Sequence, residues 1–232
     1  MKKIWILALA ATALVACNQQ SAKEVPLDSE NAKFSYLLGQ DVAASLRQMG
    51  DEIDVDAFTE SFRTSLKGGE SRISAADAEK VKKAFFEKKQ QEQQAKMNAS
   101  GEANKASGTA FLAANKQKDG ISTTPSGLQY EVLRAAEGAK PVATDTVKVH
   151  YKGTLIDGTE FDSSYARGEP ATFPLNRVIP GWTEGVQLMS VGSKYRLFVP
   201  SGLGYGERGA GPKIGPNAAL IFEVELLEIV KK

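Results

Sequence analysis

The chain has 232 residues, with 29 Lys and Arg against 28 Asp and Glu, and it contains one His and one Cys. A charge so near zero leaves no electrostatic footprint for nucleic acid. One cysteine is too few for an internal disulfide, one histidine and one cysteine make no His/Cys metal-ligand cluster, and no GxSxG motif is present.

The first segment, MKKIWILALAATALVAC, places Lys2 and Lys3 before the uncharged apolar run Ile4–Val15. The run is too short for a comfortable membrane span and has the layout of a secretory signal. It closes on Leu14-Val15-Ala16-Cys17, which resembles the bacterial lipobox. That resemblance implies a lipoprotein signal peptide over 1–16 and a membrane anchor of several acyl chains at Cys17, because one chain holds weakly. A flexible tether over 17–28 would follow. Asn18 stands where an Asp would retain such a protein at the inner membrane. The expected location is therefore the outer membrane, facing the periplasm or the cell surface.

From Ser29 to Asn115 there is no proline and the period is helical. Phe34, Leu37, Leu38, Val42, Leu46 and Met49 form one stripe, with Asp28 or Ser29 as the cap and Gly50 as the stop. A second helix follows Asp54, carries Phe58, Phe62 and Leu66, and ends at Gly68-Gly69. Two helices in fewer than fifty residues cannot bury these stripes alone. A homodimer through 29–72 is the more economical partner, with the C-terminal domain as the other option. A third helix opens at SAAD, 74–77, and keeps an apolar stripe only through Val81, Ala84 and Phe85. Residues 88–108 are polar on every face, and Gly101 and Gly108 each weaken a helix by roughly 1 kcal/mol. As one element, Ser74–Asn115 would be an arm of about 60 Å. The region 73–118 is thus a long linker helix.

After Asp119 the period changes to that of strands. ISTTPSGLQYEVL, TVKVHYKGTLIDGTEFDSS, SKYRLFVPSGLGYG and ALIFEVELLEIV are β-rich and punctuated by Gly and Pro. Asp157-Gly158 is a strong hairpin signal. A short helix is expected over 181–189, led by Ile179-Pro180. Residues 119–232 thus read as an α+β domain. Within it, the adjacency of Phe161 and Asp162 is unusual, since an aromatic and a carboxylate ask for opposite surroundings.

The blocks VHYKGTLIDGTEFDSS (149–164), VIPGWTEGVQLMSVG (178–192), GYG (204–206) and ALIFEVELLEI (219–229) resemble the FKBP family of peptidyl-prolyl cis-trans isomerases. NAKFSYLLGQDV and the Gln-rich segment after it resemble the dimerisation domain and stalk of its Mip-like and FkpA-like bacterial members. The resemblance implies an all-helical dimerisation domain, a long connecting helix, and an antiparallel twisted sheet wrapped on a short helix. It implies acceleration of X–Pro rotation in unfolded or partly folded envelope proteins, without cofactor or metal and with accompanying chaperone activity. Asp162, Tyr205, Phe161 and Tyr151 would be the catalytic set. Phe173, Val178, Ile179, Trp182, Ile214 and Phe222 would bind substrate, with Trp182 as the floor and Arg167 pairing Asp162. The Ile179 N–H would join Asp162 and Tyr205 as a polar contact.

Taken singly, these positions have bland readings. Val178, Ile179, Ile214 and Phe222 suit any β-rich core, and Tyr151 and Tyr205 could be structural. An Asp–Arg pair five apart is usually worth little. His150 reads as structural or exposed. Leu203 and Ala171 stand where several eukaryotic members carry aromatics, which bears on macrolide inhibitors, the other ligands the resemblance admits, more than on activity. The competing function is a chaperone module that grips a proline segment with little turnover.

Overall fold

The computed structural model describes residues 24–47 and 53–230. The signal segment, Cys17, Met49 and Gly50 lie outside the described residues. The chain divides into two compact units, the second beginning at Ala76.

In the first unit, α1 (Glu30–Arg47) and α2 (Val55–Leu66) each start where a short polar side chain replaces a missing intrahelical acceptor. Ser29 Oγ accepts from Ala32 N at 3.1 Å, and Asp54 Oδ1 accepts from Ala57 N at 2.9 Å. Phe58 and Phe62 stack at 5.9 Å along one face of α2. Neither helix has a buried residue. Phe34 is 67% exposed and Leu37 56%.

The second unit holds the remaining elements. Helix α3 (Ala75–Asn115) is a single element of 41 residues. Its polar stretch carries exposed pairs such as Lys82–Glu79 at 3.0 Å. Gly101 and Gly108, which weaken the helix as sequence, are two of its three buried residues. A Cβ on Gly108 would lie 3.0 Å from that of Ala219, and one on Gly101 would lie 3.2 Å from that of Pro216. Their lack of a side chain lets α3 lie against the 216–219 segment. Asn104 Nδ2 donates to Pro216 O at 2.8 Å. Further on, Phe111 meets Phe198 at 6.0 Å, and the buried Asn115 Nδ2 donates to Gln129 Oε1 at 2.9 Å. The last turns of α3 are therefore packed on the sheet rather than solvated, a contact that its polar composition conceals.

The strands are β1 (Ile121–Thr123), β2 (Gln129–Arg134), β3 (Thr146–Leu155), β4 (Glu160–Ser163), β5 (Ala171–Pro174), β6 (Lys194–Val199) and β7 (Leu220–Val230). They form one antiparallel sheet in the order β1-β2-β6-β7-β3-β4, with β5 also on β3. Long strands β3 and β7 pair over ten positions. Along β7, Leu220, Phe222, Val224 and Leu226 are buried and alternate with Ile221, Glu223 and Glu225, as a sheet with one covered face requires. The outward acids pair across strands: Arg196 with Glu131 at 2.8 Å and Glu223 at 2.7 Å, and Arg134 with Glu225 at 2.7 Å.

Helix α5 (Pro180–Leu188) covers the inner face. Its proline occupies the first turn, where no N–H is needed. Val186 and Met189 join Leu128, Leu175, Leu197 and Val199 in a fully buried core. This is the expected α+β architecture. Strand β5 and the one-turn helix α4 (Ser164–Arg167) were not foreseen: each is four residues long, below the length at which periodicity is visible.

Candidate active site

A cavity of about 810 Å³ opens where β3, β4, β5, β7 and α5 converge. Trp182, on the first turn of α5, is its floor and is 4% exposed. The indole is boxed edge-to-face by Tyr151 at 5.2 Å, Phe222 at 5.3 Å and Phe173 at 5.6 Å. Such geometry sets positive ring edges against negative ring faces. Phe161 continues the wall, 5.5 Å from Phe222. Trp182 Nε1 and Ser193 Oγ are the buried side-chain polar atoms without a hydrogen-bond partner among the described residues.

The neighbours Phe161 and Asp162 both line this cavity. Alternation would send them to opposite faces, but the β3–β4 ladder shifts at this point. Gly153 pairs Asp162 and Thr154 pairs Glu160, so Phe161 is the extra residue of a bulge. Gly153 makes the space: a Cβ there would come within 2.5 Å of the Phe161 ring and 2.9 Å of Phe222.

Behind the wall, Asp162 is held from two sides. Tyr151 Oη donates to Oδ2, Arg167 Nη1 donates to Oδ1, and Arg167 Nη2 donates to Tyr151 Oη at 2.9 Å. Burial alone would raise the Asp162 carboxyl, but hydrogen bonds from Tyr151 and Arg167 and the Arg167 charge outweigh it. The carboxyl is held below the usual carboxylate range, and so it is ionised at neutral pH. Burial, reinforced by the bond to Asp162, pushes the Tyr151 phenol up, so it remains a donor. The two serines that follow act locally. Ser163 Oγ caps α4 by accepting from Ala166 N at 3.3 Å, and this short helix carries Arg167. Ser164 Oγ, fully buried, accepts from Tyr151 N at 2.8 Å and lies 3.0 Å from His150 Nδ1. His150 also stacks on Tyr165 at 4.5 Å.

Every residue singled out from the sequence for this site lines the cavity except Arg167, which stands behind Tyr151 and Asp162. Tyr205 is on the lining and 40% exposed, and its phenol is raised by burial and by the Asp162 charge. Ile214 enters through an antiparallel bridge with Ala210. The Ile179 carbonyl accepts from Trp182 N at 2.9 Å at the start of α5. Leu203 and Ala171 are half-buried against the core and are not on the lining. Arg177, Ala210, Gly211, Pro212 and Lys213 also line it and were missed. The loop carrying four of them has no periodicity, and its glycines and prolines reveal a turn without its direction.

Residues 137–227 match the family described as FKBP-type peptidyl-prolyl cis-trans isomerase, and residues 31–132 match the domain amino terminal to FKBP-type peptidyl-prolyl isomerase. The chain is 49% identical over 197 residues to an FKBP-type peptidyl-prolyl cis-trans isomerase FkpA of Aeromonas hydrophila, covering 84% of this chain and 73% of that one. It is 42% identical over 221 residues to an outer membrane protein MIP of Legionella longbeachae, covering 95% and 93%. Among solved structures, that of FkpA from Escherichia coli superposes with a TM-score of 0.70 at 36% identity, over 88% of this chain and 98% of that one.

Proposed function

The chain belongs to the FKBP-type peptidyl-prolyl cis-trans isomerases and is such an enzyme, and from that premise we propose how its own residues perform the reaction. Rotation about an X–Pro bond meets a barrier of about 18–20 kcal/mol because twisting destroys amide resonance. The twisted amide has less charge separation than the planar one, so a dry aromatic box favours it over the ground state. The proline ring sits on Trp182 between Tyr151, Phe161, Phe173 and Phe222, with Val178, Ile179 and Ile214 closing the sides. Tyr205 Oη and the Ile179 N–H donate to the substrate carbonyls. Asp162 is a positioning residue as well as a polar wall. With both carboxylate oxygens engaged, it fixes Tyr151 and Arg167 and transfers no proton.

The observation that carries this reading is the aromatic box with the locked Tyr151–Asp162–Arg167 group in its wall. The test is the cis-to-trans rate of a Leu-Pro peptide. Asp162→Leu is expected to lower kcat/KM roughly tenfold, about 1.4 kcal/mol. Tyr205→Phe is expected to lower it a few-fold, the usual worth of one neutral hydrogen bond. An unchanged rate in Asp162→Leu removes that residue from the mechanism.

We propose further that 1–16 is a signal peptide and that Cys17 is acylated, anchoring the protein at the outer membrane. The Leu14–Cys17 motif and the similarity to an outer membrane protein MIP support this. Mass spectrometry of the mature N-terminus tests it, and Cys17→Ser should release the protein to the soluble fraction. We also propose that residues 29–72 pair two copies, with 73–118 as the linking helix and 119–232 as the isomerase domain. The exposed stripe of α1 and the match to the amino-terminal domain family support the pairing. Paired in this way, two copies would hold unfolded proline-containing clients between them, the basis for a chaperone activity. Sedimentation equilibrium decides the pairing.

A further inference from the structure

Resting on the isomerase reading, this inference concerns which prolyl segments the site takes. The cavity lining carries three charged side chains, Asp162, Arg177 and Lys213. The Asp162 charge is already answered by Arg167. The other two are not answered. Arg177 ends the 3-10 turn before α5, is exposed, and enters no ion pair among the described residues. Lys213 Nζ donates to Glu160 O at 3.0 Å, a neutral carbonyl, while the Glu160 carboxylate is taken by Lys152 at 3.5 Å. Glu207 and Arg208, adjacent beyond Tyr205, offset one another and are not on the lining. The mouth of the site therefore carries an uncompensated charge of about two positive units, although the whole chain is nearly neutral.

We propose that the site favours prolyl segments bearing Asp or Glu two or three residues from the proline, attracted by Arg177 and Lys213. A residue directly beside the proline lies within the aromatic walls, where an unpaired carboxylate is costly. Two or three extended residues carry the chain roughly 7–10 Å, out to the rim. Lys213 also borders a second cavity, of about 510 Å³, between its loop and Ser100, Asn104 and Ser107 of α3, where Asp157 is the one acidic residue on the lining and enters no ion pair with it. Charges at this range in water are worth roughly threefold each in affinity at low salt, and they are screened within about 10 Å at 0.1 M.

The experiment uses the full chain in non-ionic detergent with octapeptides centred on Leu-Pro. Glu is placed singly two or three residues before or after the proline, and each peptide is compared with its Gln counterpart. At least one Glu peptide should exceed its Gln partner by roughly three- to tenfold in kcat/KM, through KM. That ratio should fall towards one in about 1 M salt. It should also collapse in the Arg177→Gln/Lys213→Gln double variant and survive in Arg177→Lys/Lys213→Arg. Ratios of one or below at all four positions overturn the proposal, as does a preference that neither salt nor the double variant weakens. If no peptide is accelerated, the failure lies with the isomerase reading and takes this inference with it.

Discussion

The two halves of this chain use apolar residues in similar proportion and to opposite effect. On α1, Phe34, Leu37 and Leu38 follow a clean helical stripe and are all more than half exposed. On β7, Leu220, Val224 and Leu226 follow an equally clean two-residue alternation and are wholly buried. Periodicity states that a face will be covered, and it is silent on what covers it. In the sheet the cover is in the same chain, in α5. In α1 the stripe is consistent with the second copy proposed above.

The sharpest test of that contrast is a pair of truncations. Leu197→Ala, in the fully buried core, should cost about 2–5 kcal/mol in urea unfolding of the C-terminal unit. Leu37→Ala should leave that unfolding transition in place and instead weaken self-association by roughly tenfold or more, read by sedimentation. Next in size is the seam between α3 and the 216–219 segment. Gly108→Val drives a branched side chain at Ala219 and should destabilise the C-terminal unit by about 1–3 kcal/mol.

Protonation of Asp162 gives a smaller, pH-dependent effect. Its folded pKa is depressed, so its contribution to stability is present above the unfolded carboxylate value and is lost as pH falls through the folded one. Isomerase activity should hold from neutrality to about pH 5 and decline only below roughly pH 4. A decline centred between pH 6 and 7 would point to another group. The smallest expected effect is that of Lys82→Ala on α3. It removes an exposed pair with Glu79 and should change stability by less than about 0.5 kcal/mol.

What the sequence made legible was local. Ser29 and Asp54 cap helices, Asp157-Gly158 turns a hairpin, and Ile179-Pro180 opens α5, because each acts within a few residues of itself. The cavity lining was reached by family resemblance, since Val178 or Phe222 alone reads as ordinary core. What stayed hidden was non-local. Nothing in GTEFDSS states that β3 pairs with a one-residue shift, although the adjacency of Phe161 and Asp162 was its trace. Nor does the polar face of α3 state that its two weakening glycines are where a loop approaches. Arg177 and Lys213 were missed because a rim charge has no pattern.

The most direct test of the account is the emission of Trp182 during titration of the mature chain with a Leu-Pro peptide, since Trp182 is the one tryptophan after Cys17. A saturable change, half-complete at a peptide concentration matching KM for catalysed isomerisation, is the predicted result. Catalysis without any response from Trp182 would contradict the account and move the reaction out of the aromatic box.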